Sequence, residues 1–244
     1  MKLITALFMG LCCAASGLVA AKPVVEVKMG STEFKFEQQP RLTEVLAPVA
    51  LQQAWYWPAS QLYRLDASQL EQQRSEALAL ISALMLDADD EVQPLLKRLA
   101  DELSSWQLAE KIPLVIDYDL ARAKQAFNPL FESGHYRLQL KVRPVEVTVW
   151  GAVAKNVNLP LRSATSVHDY FDAIPEHPTA DTSRFYLIQP NGNVIEILRG
   201  AWQQDRVEVM PGSTLYIPFS HGYFSKDFAE LNKKLLALAV NRMD

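Results

Sequence analysis

Cysteine is almost missing from this sequence. Its only two, Cys12 and Cys13, lie in the apolar N-terminal stretch. Once that stretch is removed, disulfides, thiol nucleophiles and Cys-ligated zinc are all excluded. Catalytic signatures are missing too: there is no Gly-x-Ser-x-Gly elbow, phosphate-binding glycine loop, dinucleotide fingerprint or His-Glu-x-x-His stretch. His135, His168, His177 and His221 show no paired metal-ligand spacing. The acidic run Asp87–Glu91 is no calcium loop. With Asp87 as first ligand, Val92 falls where the turn needs glycine and Arg98 where a bidentate carboxylate belongs. No metal or cofactor is expected. An excess of basic residues is also absent: the net charge is −4, which argues against nucleic-acid partners.

The N-terminus reads as a leader. Met1-Lys2 gives a positive start, Leu3 to Val19 is uncharged and apolar, and Val19-Ala20-Ala21 offers small residues before Lys22. This fits a cleaved secretory signal over residues 1–21, which implies soluble export with no stable membrane span after removal. A composition of 49% hydrophobic and 21% charged residues is that of an ordinary globular chain.

Alternation and turn residues then set out the elements. Val24 to Phe36 predicts a hairpin around Gly30-Ser31, and Leu42 to Leu51 a short helix kinked by Pro48. Trp55-Tyr56-Trp57-Pro58 is the densest aromatic cluster; such rings either stack on sugars or pack inside the protein. Residues 67–106 read as a helical hairpin, with a Ser68/Glu71 capping box and a break at Asp87–Glu91. A strand over Ile112–Ile116 leads into Asp117-Tyr-Asp-Leu-Ala-Arg122, where Asp119 is placed as an N-cap with Arg122 in the first turn. Gly134 to Val142 is a further strand, and Arg143-Pro144 a short joint.

The second half opens on the alternating strand Val145–Gly151. A short helix over Ser166–Ile174 follows, then a hairpin of Phe185–Ile188 and Val194–Leu198 around Pro190-Asn191-Gly192-Asn193. Strands over Val207–Met210 and Leu215–Ile217 close it. Residues 225–243 form an amphipathic helix capped by Ser225, with Phe228, Leu231, Leu235 and Leu238 in its stripe. That stripe serves a membrane, a partner or its own domain.

Two chemistries deserve testing. Asp117 and Asp119, i and i+2 in extended chain, lie close to the carboxylate separation of glycosidases, which would make the chain a hydrolase or lyase. Arg122, close to Asn128, either offers a bidentate fork to an acidic sugar or pairs with Asp117 or Asp119.

Several stretches carry a resemblance. Val145–Val153, the Val167-Tyr170-Phe171 helix and Met210–Ile217 look like the soluble-ligand-binding β-grasp (SLBB-like) modules of outer-membrane polysaccharide export proteins. Trp57-Pro58, the helical insertion, Asp117 to Arg122, Asn128-Pro129 and Pro211-Gly212-Ser213 extend it. The chain is thereby similar to the GfcC/YjbG-like capsule and exopolysaccharide biosynthesis family. Lys155 to Pro160 departs from that pattern, which has a Pro-Gly turn there.

The resemblance implies an α+β fold of two β-grasp domains. Residues 22–143 form the first with its insertion at about 67–106, residues 144–222 the second, and residues 223–244 a C-terminal amphipathic helix. It implies a periplasmic, non-enzymatic accessory role in capsule or exopolysaccharide assembly or export, with surface polysaccharide or outer-membrane export proteins as partners. Arg122 matches the family's pocket arginine. Arg122, Asp117, Asp119, Asn128, Trp55, Tyr56 and Trp57 are the candidate ligand contacts. A protein-binding scaffold using the tail helix is a further reading.

Overall fold

The computed structural model describes residues 24–66, 69–162, 165–200, 207–220 and 226–243. The proposed leader, His221 and the capping residues Ser68 and Ser225 lie outside them. Strands β1 (Val25–Met29) and β2 (Thr32–Phe36) pair antiparallel through Met29 and Thr32, so Gly30-Ser31 makes a two-residue turn, with Gly30 at φ 57°. Helix α1 (Leu42–Leu46) buries Leu42, Val45 and Leu46 and is shorter than expected. Pro48 has no N–H to extend the ladder, so it ends the helix instead of kinking it.

A 3-10 turn at Trp57–Ala59 precedes β3 (Gln61–Arg64). Helices α2 (Gln69–Asp87) and α3 (Gln93–Ser105) form the hairpin expected from their spacing. Asp89 ends the break by accepting from the Val92 amide at 3.0 Å. Then come β4 (Gln107–Leu108), β5 (Glu110–Ile112), α4 (Tyr118–Ala123) and β6 (Gly134–Gln139). The strand expected over Ile112–Ile116 stops at Ile112, since Pro113 cannot donate to a ladder.

The second half runs β7 (Glu146–Gly151), β8 (Val157–Pro160), a 3-10 helix Val167–Ala173, β9 (Arg184–Ile188), β10 (Val194–Leu198) and β11 (Thr214–Ile217). Ser166 caps the 3-10 helix and shares a capping box with Asp169. Val207–Met210, read as a strand, contributes only an isolated bridge from Glu208 to Ser166. Helix α5 (Lys226–Val240) and β12 (Arg242–Met243) complete the chain, and β12 pairs with β4.

The fold is therefore mixed α+β, with two five-stranded sheets ordered β2-β1-β6-β3-β5 and β10-β9-β11-β7-β8. Their wiring is the same. Each opening strand pairs antiparallel with the next and parallel with the last, as β1 does with β2 and β6, and β7 with β8 and β11. Each last strand then runs antiparallel to a middle one, β3 or β9.

The first core lies on one face of the first sheet, where Val25, Val27, Leu62, Tyr136 and Leu138 meet α1 and Ala121 of α4. The second sheet is covered on both faces. Phe171 of the 3-10 helix meets Phe185 edge-on at 4.4 Å on one side. On the other side Trp106 meets Trp150 at 5.2 Å, and the Tyr216 hydroxyl donates to Asn232 of α5 at 2.7 Å. Leu95, Leu99 and Leu103 of α3 belong to this second core. The helical hairpin thus leaves the first half in sequence and packs on the second. Gly151 is required where β7 ends: at φ 105°, a Cβ there would sit 2.3 Å from the Ile217 carbonyl oxygen.

Candidate functional site

The acidic candidates gather around α4. Asp117 is its N-cap, in extended conformation, with Oδ1 accepting from the Leu120 amide at 2.8 Å. This corrects the assignment of the cap to Asp119, which sits exposed in the first turn, and of Arg122 to the first turn, since it lies in the last. The chain turns helical at Tyr118, so Asp117 and Asp119 do not share the side of an extended strand on which an acid-base pair would depend. The Arg122 guanidinium lies 5.4 Å from the Tyr118 ring centre. Among the described residues no ion pair joins it to Asp117 or Asp119.

Asn128 is committed to structure. Its Oδ1 accepts from the Thr43 amide at 3.0 Å, and its carbonyl accepts from Arg41 Nη1 at 2.9 Å. It thereby ties the segment after α4 to the start of α1, where unpaired amides need acceptors.

The three aromatics diverge. Trp55 is pinned by its Nε1–H, which donates to the Val49 carbonyl at 2.8 Å. Tyr56 lies 5.0 Å below the Arg143 guanidinium and donates its amide to Lys141 at 2.8 Å. Trp57 opens the 3-10 turn and packs against the first core. With these separate partners the Trp-Tyr-Trp run does not make one stacking platform.

Trp55 and Trp57 instead border two separate grooves. The first, of about 500 Å³, lies at the C-terminal ends of β1 and β6. Met29, Phe34 and Leu138 give it apolar lining and Trp55 borders it, and residues 137–141 run along it. The second, of about 410 Å³, lies where the two halves meet. Trp57 and residues Ile112 to Asp117 face Asn191 and Asn193 of the β9–β10 loop across it. There Lys111 Nζ donates to the Pro190 carbonyl, and Gln61 Nε2 reaches the same oxygen at 3.4 Å. Asp117 and Trp57 are thus brought together, and Trp55 is separated from them. Arg122, Asp119 and Asn128 line neither groove.

Residues 137–141 of the first groove carry no signal in the sequence that marks them as a site. Arg137 of β6 and Lys141 just after it alternate with Leu138 and Leu140, a pattern that reads as any half-solvated strand.

Other charged groups serve packing. Arg98 of α3 donates to the Val153 and Ala154 carbonyls after β7, and burial lowers its pKa. At the far end of β6, Asp66 Oδ2 accepts from the His135 amide at 3.1 Å and the His135 ring Nδ1 lies 3.0 Å from Asp66 Oδ1, which holds the carboxyl below its ordinary range. No group of three or more His, Cys, Asp or Glu among the described residues is arranged to hold a metal. No described helix is long and apolar enough to cross a membrane.

Two family models match this chain. The N-terminal model of capsule biosynthesis GfcC covers residues 21–143, and the C-terminal model covers residues 155–244. The chain is also similar to the uncharacterized protein YjbG of Escherichia coli (strain K12), with 23% identity over 232 residues and 94% of each chain covered. With one model on each sheet-bearing half, the chain belongs to the GfcC capsule biosynthesis family.

Proposed function

We propose that the protein is a non-enzymatic accessory factor in the assembly or export of a capsule or exopolysaccharide, acting in the periplasm and binding the polymer at the Trp55 groove. Family membership over both halves is the observation that carries the reading. The shared wiring of the two sheets supports assigning each as a β-grasp module, with α2 and α3 inserted into the first. Trp55 adds the chemistry: a half-buried indole with its one donor already engaged offers apolar ring surface to a sugar's C–H face. Outer-membrane export proteins are the natural protein partners of such a factor.

Calorimetric titration with the exopolysaccharide of the source organism tests this. The wild-type chain should bind, and Trp55→Ala should weaken binding about tenfold, as expected for roughly 1.4 kcal/mol of lost stacking. Arg122→Ala, outside the groove, should leave it unchanged. Absence of binding by the wild type overturns the polymer-binding reading. Release of new reducing ends during the incubation would favour a hydrolase instead.

A further inference from the structure

Strand β2 is an edge of the first sheet, paired on one side with β1 and with no described strand on the other. Its sequence, Thr32-Glu-Phe-Lys-Phe36, carries no proline, and its register with β1 is unbroken. A free edge of this kind is a template for a further strand. In a two-residue hairpin the residues flanking the turn exchange hydrogen bonds, and so does every second pair beyond them. Thr32, Phe34 and Phe36 therefore turn their backbone groups towards β1, and the Phe36 carbonyl accordingly accepts from the Val24 amide at 2.9 Å. Glu33 and Lys35 turn theirs outward.

The side chains select the strand that fits there. Lys35 Nζ lies 3.2 Å from Glu33 and 3.6 Å from Glu26, so the lysine that would ordinarily guard an edge is neutralised. Run antiparallel to a second copy of itself and centred on Phe34, β2 sets Glu33 opposite Lys35 of the copy and Lys35 opposite its Glu33. Strand β1 extends the pattern. Lys28 pairs with Glu33 and Glu26 with Lys35, so charge alternates in sign across all four strands. Sliding the pair by two residues sets Glu33 against Glu33 or Lys35 against Lys35, so one register alone is complementary. We infer that β2 is a self-association edge, through which two copies of this chain join their first sheets about a two-fold axis. The two Phe34 side chains then meet in a close, non-hydrogen-bonded pair, about 4.5 Å apart at Cα. Directly opposed residues share a face, and Thr32 and Phe34 line the Trp55 groove. Both grooves thus open on the same side of the joined sheet, and Phe34 of the second copy continues the apolar lining of each. One polymer chain then engages both grooves at once, a consequence that rests on the polymer-binding reading above.

Two five-residue strands bury less surface than a tight dimer needs, so the expected equilibrium is weak. Sedimentation of the chain from Lys22 on, over about 5–500 µM, should show a reversible monomer–dimer transition. Lys35→Glu should abolish it, and so should Glu33→Lys, because each sets like charges opposite one another. An equimolar mixture of the two variants should dimerise again, since every glutamate then faces a lysine. The two cysteines of the sequence both precede Lys22, so a single engineered thiol reports the register. Phe34→Cys should oxidise to a linked dimer, whereas Thr32→Cys, far from its own copy in this register, should not. A chain that stays monomeric throughout overturns the inference. So does a dimer that survives either charge reversal, a mixture that fails to restore it, or a Thr32→Cys link that forms as readily as the Phe34→Cys one. Every arm is read without polymer, so failure of the organism's polymer to bind removes the shared-groove consequence and leaves the self-association result standing.

Discussion

Asn232 shows how one polar residue can hold an apolar core in register. It is buried in α5, its Oδ1 accepting from the Tyr216 hydroxyl at 2.7 Å and the Phe219 amide at 2.9 Å, while Nδ2 donates to the Phe219 carbonyl at 2.9 Å. Burial also pushes the Tyr216 phenol well above its ordinary pKa, so the hydroxyl stays a donor. Asn232→Ala strips the Tyr216 hydroxyl of its acceptor and removes both side-chain bonds to Phe219. A loss of about 2–4 kcal/mol is expected in urea unfolding, because a buried donor without a partner bears its full desolvation cost. A loss below roughly 1 kcal/mol would mean that the network relaxes around the gap. Asp66 provides the pH-dependent counterpart. Its folded-state pKa lies below the unfolded one, so its contribution is present above the unfolded value and disappears as pH falls through the folded value. The carboxylate is partly exposed, so Asp66→Ala should cost no more than about 1 kcal/mol at pH 7. Wild type and variant should converge in stability as pH falls through the folded-state value, below the ordinary aspartate range.

Among the elements, those with long-range periodicity were legible. The helical hairpin, α5 and the β1–β2 and β9–β10 hairpins all follow from spacing and turn residues. The errors fall where one residue decides. Pro48 and Pro113 each remove a donor and end an element early, and a capping aspartate two residues upstream displaced the one chosen. The β12–β4 pair spans only two residues on each side and has no pattern to read. The candidate site was half legible: Trp55 stood out as an aromatic, but the residues that border its groove come from β1, β2 and the end of β6, beyond any local motif. Helix α4 carries a prediction of its own. Asp117 accepts the Leu120 amide and lines the junction groove. If its role is capping, Asp117→Ala should lower stability by about 1 kcal/mol and leave polymer binding unchanged. Loss of a polymer-degrading activity in that variant would reassign the carboxylate to catalysis.

The whole molecule is two similarly wired sheets that do not share their helices equally. The hairpin of α2 and α3 departs from β3 and returns to β4, yet Ile81, Leu95, Leu96, Leu99 and Leu103 are buried in the core of the second sheet. At about 1.5–3 kcal/mol for each such side chain, an upper bound because unfolded chains already bury some surface, these five contribute on the order of 10 kcal/mol. That equals the net stability of an ordinary domain. The second sheet is therefore expected to depend on a segment encoded in the first half. Arg98 and Arg242 strengthen the coupling, the former through the Val153 and Ala154 carbonyls and the latter by lying 4.9 Å from the Trp106 ring centre. Heat unfolding should accordingly show one cooperative transition, with calorimetric and van't Hoff enthalpies in agreement. A fragment of residues 144–243, deprived of α2 and α3, should expose Trp150 and Tyr216, bind a hydrophobic dye and lack near-UV dichroism. Two resolved transitions in the full chain, or a fragment with native-like dichroism, would show that the halves are independent domains and that the hairpin's packing is incidental to their stability.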